Sequence, residues 1–185
     1  MAILTQESRF QAEDVRLEEV HGITQTLIRI ANSTDAKDWK KLREQFADVV
    51  AVDLRERAPS QTMLADELVD WIAAAYGGME TLHLVSNHDV QIWPGIEVGT
   101  TGNADDKAQV TSYGHVLHRQ LADGETLHMD CRYEHELARG EQGWKVTRLK
   151  TIPFNHQGNN GLFEHRNRNE NETRHMNHAT GVSGE

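Results

Sequence analysis

The stretch Leu127-His128-Met129-Asp130-Cys131-Arg132-Tyr133-Glu134-His135-Glu136-Leu137 decides the fold class. Leu127, Met129, Cys131, Tyr133, His135 and Leu137 alternate with His128, Asp130, Arg132, Glu134 and Glu136, and a period of two puts the two sets on opposite faces of a β-strand. One face is buried and the other is wet. That pattern suits an antiparallel sheet solvated on one side better than a parallel sheet covered on both.

Working outward, residues 81–93, 107–120 and 143–153 read as partner strands. The turn signals Asn103-Ala104-Asp105-Asp106, Asp123-Gly124 and Gly140-Glu141-Gln142-Gly143 separate the later strands. Before this meander the pattern changes to helical. Val15, Val20, Ile23, Leu27, Ile30 and Ala31 recur at spacings that include the threes and fours of one helical face, predicting a first helix over 15–31. Asn32-Ser33-Thr34 reads as a short break, and Trp39, Leu42 and Phe46 predict a second helix over 36–46, or a kinked continuation of the first. The β-branched run at 49–54 predicts a short strand, Pro59-Ser60 a helix start, and residues 61–76 a third helix ended by Gly77-Gly78. Helices followed by long strands argue for an α+β fold: three N-terminal helices packed on a curved, mostly antiparallel mixed sheet, with a pocket between the layers.

Composition bounds the rest. The 185 residues fit one domain of about 150 residues plus an appendage. We divide the chain into a flexible N-terminus at 1–12, a domain at 13–155 and a polar tail at 156–185 rich in Asn, Gly and His. With 19 Lys and Arg against 29 Asp and Glu, the formal net charge of −10 repels phosphate backbones and anionic membranes, so nucleic acid and membrane are excluded as expected partners. A single cysteine, Cys131, allows no internal disulfide. The N-terminal residues lack a continuous apolar segment, and a cytoplasmic location is expected. Eleven histidines invite a metal, but those in the strands show no common ligand spacing, and neither metal nor cofactor is expected.

Residues 31–43, followed by Phe46-Ala47-Asp48 and Val52-Asp53, resemble the opening of SnoaL-like proteins of the nuclear transport factor 2 superfamily, scytalone dehydratase above all. Thr81-Leu82-His83, residues 133–137 and Gly143-Trp144-Lys145-Val146 continue the resemblance, which spans roughly 15–150. It implies that Asp35 orients a basic histidine at His83, and that the family's second histidine falls at His118. It also implies an Asp-His base of the sort that hexachlorocyclohexane dehydrochlorinase uses. The family's two tyrosines that hold a water against the substrate carbonyl match Thr34 and Leu54, and its later serine and asparagine match Cys131 and Tyr133. Related chemistry on a different substrate is therefore expected, with homo-dimers or trimers implied by the relatives.

Each candidate also has an ordinary reading. Asp35 could cap the second helix, and His83 could be a core histidine at a strand start. His118 faces inward only if Val110, Ser112, Gly114 and Val116 do, in which case Gly114 leaves room for a ligand; the opposite parity turns Tyr113, His115 and Leu117 inward. Tyr133 is either a hydrogen-bond donor to a substrate carbonyl or a core aromatic. Leu54, Thr34, Asn87, Cys131, Tyr133, His135 and Phe163 make up the expected substrate-binding set. Leu162 and Phe163 resemble a shortened form of the segment that closes the dehydratase pocket, a partial lid near 161–165, or else a stray apolar pair. The function expected is that of a cofactor-independent dehydratase-type lyase or isomerase working by Asp-His acid–base chemistry on a small carbonyl-bearing, polyketide- or terpenoid-like compound. A non-catalytic ligand-binding domain, or a cyclase or hydrolase, is the alternative.

Overall fold

The computed structural model describes residues 6–54, 60–93 and 106–163, with side chains from Leu17 onward except those of Asn160 and Phe163. The alternating stretch is the centre of strand β5 (Thr126–Gly140), flanked by β4 (Lys107–Gln120) and β6 (Gly143–Gly158), with β3 (Met79–Trp93) beyond β4. Two more strands, β1 (Phe46–Asp53) and β2 (Gln61–Leu64), complete a six-stranded sheet in the order β2-β1-β6-β5-β4-β3. Only the β1–β6 pairing is parallel. Bulges in β3 and β6 bend their strands, and the sheet curves without closing.

Helices α1 (Gln6–Ala36), α2 (Trp39–Arg43) and α3 (Ala65–Tyr76) lie against one face of this sheet. Ile23 and Leu27 of α1 and Leu68 and Ile72 of α3 pack with Val110, Leu137 and Val146 of the sheet in the main core. The spacing of four between Ile23, Leu27 and Ala31 is what directs them to one side. Thr26 Oγ1 donates to the Trp144 carbonyl at 3.2 Å and Trp144 Nε1 to Glu19 at 2.6 Å, pinning the middle of α1 to β6.

Two helix boundaries differ from expectation. The first helix does not break at Asn32-Ser33-Thr34 but runs to Ala36. Ser33 and Thr34 are buried, and Thr34 Oγ1 donates back to the Ile30 carbonyl at 2.8 Å, so these residues are satisfied inside the helix. The stop is at Lys37, whose φ of 58° puts it in the left-handed region. Lys37 N donates to Thr34 O and Asp38 N to Ser33 O, the paired bonds of a Schellman motif. Asp38 then caps α2, accepting from Lys41 N at 3.1 Å, so the second helix is short and its cap is not Asp35.

The third helix likewise begins at Ala65 rather than near Gln61. Residues 61–64 pair with β1 as an edge strand, and Glu67 accepts the Leu64 N–H at 3.1 Å to open the helix. Asp66 and Glu67 in its first turn complement the helix dipole. No helix among the described residues is long and apolar enough to cross a membrane.

Candidate active site

The Schellman stop leaves Asp35 in the last turn of α1, facing the start of β3. There Asp35 Oδ1 lies 2.6 Å from His83 Nδ1, and Oδ2 accepts the His83 backbone N–H at 2.8 Å. Thr81 Oγ1 donates to Oδ1 at 2.8 Å and itself accepts from Lys37 Nζ at 2.8 Å. A carboxylate at a helix C-terminus is unfavourable on dipole grounds, and this ring of donors offsets that cost. Burial works against the charged carboxyl, but the His83 ring, the His83 backbone, the His83 charge and Thr81 outweigh it and hold Asp35 below its ordinary value. Burial pulls the Lys37 ammonium below its ordinary value, partly countered by the Asp35 charge.

Because Asp35 engages Nδ1, it favours the tautomer with the proton there and leaves the other ring nitrogen to act as base. His83 lines a cavity of about 110 Å³ between the helices and the sheet, with Thr34, Leu54, Trp71, Tyr76, Tyr133 and His135 among its walls. The parity of β4 is settled by Val110, Ser112, Val116 and His118, all wholly buried, while Tyr113 and His115 face outward. The His118 ring stands edge-on to that of His83, 5.9 Å between centroids, and stacks on Tyr76 at 5.2 Å.

Other expected positions fare unevenly. Tyr133, His135, Thr34 and Leu54 line the cavity. The Thr34 hydroxyl, however, is spent on the Ile30 carbonyl, and Leu54 brings no donor, so neither replaces the tyrosines of the resembled family. Cys131 is buried beneath the cavity, packed with Val116 and Met129. Asn87, expected among the binding residues, is exposed with φ of 55° in the β3 bulge and does not line the cavity. Gly114 does not leave room for a ligand: the Tyr133 ring lies on it so closely that a Cβ there would overlap the ring. The Phe163 side chain and residues 164–165 lie outside the described residues, but Leu162 is buried with Met79, Leu127 and Tyr76 and is not a stray apolar residue.

Sequence reasoning missed Lys37 and Thr81 as members of the Asp35 network and Tyr76 as the platform for His118. Lys37 and Thr81 were visible only as parts of a motif, and Tyr76 only as the last residue before Gly77-Gly78. Among the described residues no three His, Cys, Asp or Glu side chains gather as a metal-binding group.

A model of the SnoaL-like domain matches residues 15–150. No curated protein matches the sequence. Among solved structures, the Kfla4162 protein of Kribbella flavida superposes with a TM-score of 0.68 at 20% identity, covering 80% of this chain and 99% of that one. A candidate scytalone dehydratase from Novosphingobium aromaticivorans gives 0.62 at 17% identity, covering 80% and 91%. The hexachlorocyclohexane dehydrochlorinase LinA-type3 of Novosphingobium barchaimii gives 0.60 at 15% identity, covering 79% and 93%. Likeness at such identities is a likeness of fold, and chemistry has to be argued from the site.

Proposed function

Because the chain belongs to the SnoaL-like domain family, we propose that it is a cofactor-independent lyase of the dehydratase type, or an isomerase, acting on a small carbonyl-bearing compound. The observation that carries this reading is the Asp35–His83 pair, 2.6 Å apart on the wall of an apolar cavity. Elimination or isomerisation beside a carbonyl requires a base for the α-proton, a donor for the developing enolate and a proton for any departing hydroxyl. His83 takes the α-proton on the nitrogen that Asp35 leaves open, and the Asp35 carboxylate stabilises the imidazolium that results. The role that the resemblance gives His118, returning a proton to the leaving oxygen, requires it to reach past Tyr76 and His83, because its wholly buried ring does not line the cavity. Tyr133, on the cavity wall, supplies the hydrogen bond to the enolate oxygen.

The walls carry the substrate class. Leu27, Ile30, Leu68, Trp71, Ile72, Met129 and Leu149 suit a cyclic or aromatic body of the polyketide or terpenoid kind. One observation favours binding without turnover: Thr34 and Leu54 leave two cavity positions with no free hydroxyl for a substrate carbonyl.

α-Proton exchange separates the two readings without knowledge of the leaving group. A panel of cyclic ketones, β-tetralone among them, is incubated with the protein in deuterated water and followed by NMR. Incorporation of deuterium at the α-carbon, lost in Asp35→Asn and His83→Ala variants that melt near the parent temperature, is the expected result. Exchange undiminished in both variants overturns the mechanism, and binding with no exchange across the panel favours the non-catalytic reading.

A further inference from the structure

Behind the cavity wall, three polar atoms are buried with no hydrogen-bond partner among the described residues: Nδ1 of His88, Oγ of Ser112 and Nδ1 of His135. They belong to one patch of the inner sheet face. Ser112 pairs across the β4–β5 ladder with Tyr133, and Val110, two residues earlier on β4, pairs with His135, so Ser112 and His135 are diagonal neighbours on the same face. On the other side of β4 the ladder pairs Ser86 with Tyr113 and Asp89 with Thr111, so the bulge at residues 87–88 stands opposite Ser112. Asn87, with its positive φ, absorbs the extra residue, and the half-buried His88 follows it.

Leaving such groups unpaired is costly. A buried polar group without a partner costs about 1–3 kcal/mol, and folded proteins pair the great majority of theirs. Ser112 is wholly buried and His135 is 5% exposed, so bulk solvent does not satisfy them. His135 nevertheless lines the cavity, beside its ladder partner Leu149 and together with Leu27 and Leu68.

We infer that His135, Ser112 and His88 form a polar subsite at the end of the cavity, which binds an uncharged oxygen of the ligand, a hydroxyl or a ketone. His135 is the member that faces the cavity. Ser112 and His88 stand behind it, off the cavity wall, and are reached only through a water carried in with the ligand. Uncharged oxygen is favoured over carboxylate because burial, with the nearby His88 adding to it, holds His135 down at about 4, and burial lowers His88 as well. Both imidazoles are therefore neutral near pH 7 and offer a hydrogen bond without a charge. The inference rests on the cavity being a small-molecule site, and it gives that site a second anchor apart from His83: an apolar body with one oxygen near the base and another at His135.

Three probes of one shape test it on the full chain: p-cresol, toluene and p-toluate, titrated while the methyl signals of Leu27, Ile30 and Ile72 are followed by NMR. The expected result is p-cresol binding at least tenfold more tightly than toluene, with p-toluate weakest. Ser112→Ala and His135→Phe should each abolish the preference for p-cresol over toluene. Both should also raise the melting temperature of the ligand-free protein, by about 2–4 °C for each kcal/mol recovered, because an unpaired polar group has been removed. Equal binding of p-cresol and toluene overturns the subsite but leaves the pocket standing. Cresol preference intact in both variants overturns it too, as does a fall in melting temperature in the mild Ser112→Ala variant, which would place the hydroxyl in an internal network. Failure of all three probes to bind removes the pocket reading and the subsite with it.

Discussion

The two polar regions of the inner sheet face are built on opposite terms. At the start of β3, the Asp35 carboxylate has donors on both oxygens: Thr81 and the His83 ring at Oδ1 and the His83 backbone at Oδ2. Further along the same face, His88, Ser112 and His135 each keep a buried polar atom without a partner among the described residues. The first region is finished by folding. The second is left unfinished, and folding alone gains nothing from it. The contrast separates groups that must be rigid before a substrate arrives from groups whose partner is the substrate.

The largest expected effect breaks the finished region. Asp35→Asn keeps the shape but turns one acceptor into a donor facing His83 and removes the charge that supports the imidazolium. General acid–base catalysis contributes about 10²–10⁴-fold, and a loss of that size in α-proton exchange is expected, with little change in melting temperature. Exchange rates within threefold of the parent would show that the finished region is structural.

Next in size is a pH effect confined to the unfinished region. His135 in the folded chain titrates at about 4 against an ordinary 6.5. Between those values the unfolded chain binds more protons, so stability is present above about pH 6.5 and lost as the pH falls towards 4. A shift of that size corresponds to about 3 kcal/mol. In urea melts at several pH values between 4 and 7, the stability difference between the parent and His135→Phe should change by about that amount from one end of the range to the other. Parallel curves would mean that His135 does not stay neutral on burial.

How much of this was legible in the sequence differs between the same two regions. The alternation from Leu127 to Leu137 showed β5, its buried face and the inward side of His135, because period two maps directly onto the sheet. Pairing of Asp35 with His83 spans 48 residues and has no local signature, so it was readable only through resemblance. The helix boundary failed for a physical reason. Asn32-Ser33-Thr34 looks like a break until the burial of Ser33 and Thr34 is known, whereas the true stop uses Lys37 in a conformation that glycine or asparagine usually takes. His88 was invisible for a similar reason: its approach to His135 depends on the bulge at residues 87–88, and no pattern of period two includes an extra residue.

Between the two regions lies Tyr133, whose ring rests on Gly114. A methyl group at Gly114 would overlap that ring, so Gly114→Ala must push Tyr133 off the sheet and into the cavity. Overpacking of this kind costs about 1–3 kcal/mol. Lower stability together with weaker toluene binding is expected from thermal melts and the NMR titration. An unchanged affinity would show that the Tyr133 ring is not part of the wall a ligand meets.

The smallest effect sharpens the finished region. Lys37 meets Asp35 through Thr81: its ammonium donates to the Thr81 hydroxyl, which in turn donates to Asp35. Thr81→Val removes that bridge with almost no change in volume, and a lost hydrogen bond to a charged group costs about 1.5–3 kcal/mol before water replaces it. Because Asp35 keeps both His83 contacts, exchange should fall only about three- to tenfold, with Thr81→Ser restoring it. Lys37→Met separates position from charge. If the lysine acts only through the threonine, combining Lys37→Met with Thr81→Val costs no more than Thr81→Val alone. If its charge also supports Asp35 across space, the double variant is slower than either single one, and the relay is only part of what a strained lysine at the end of α1 contributes.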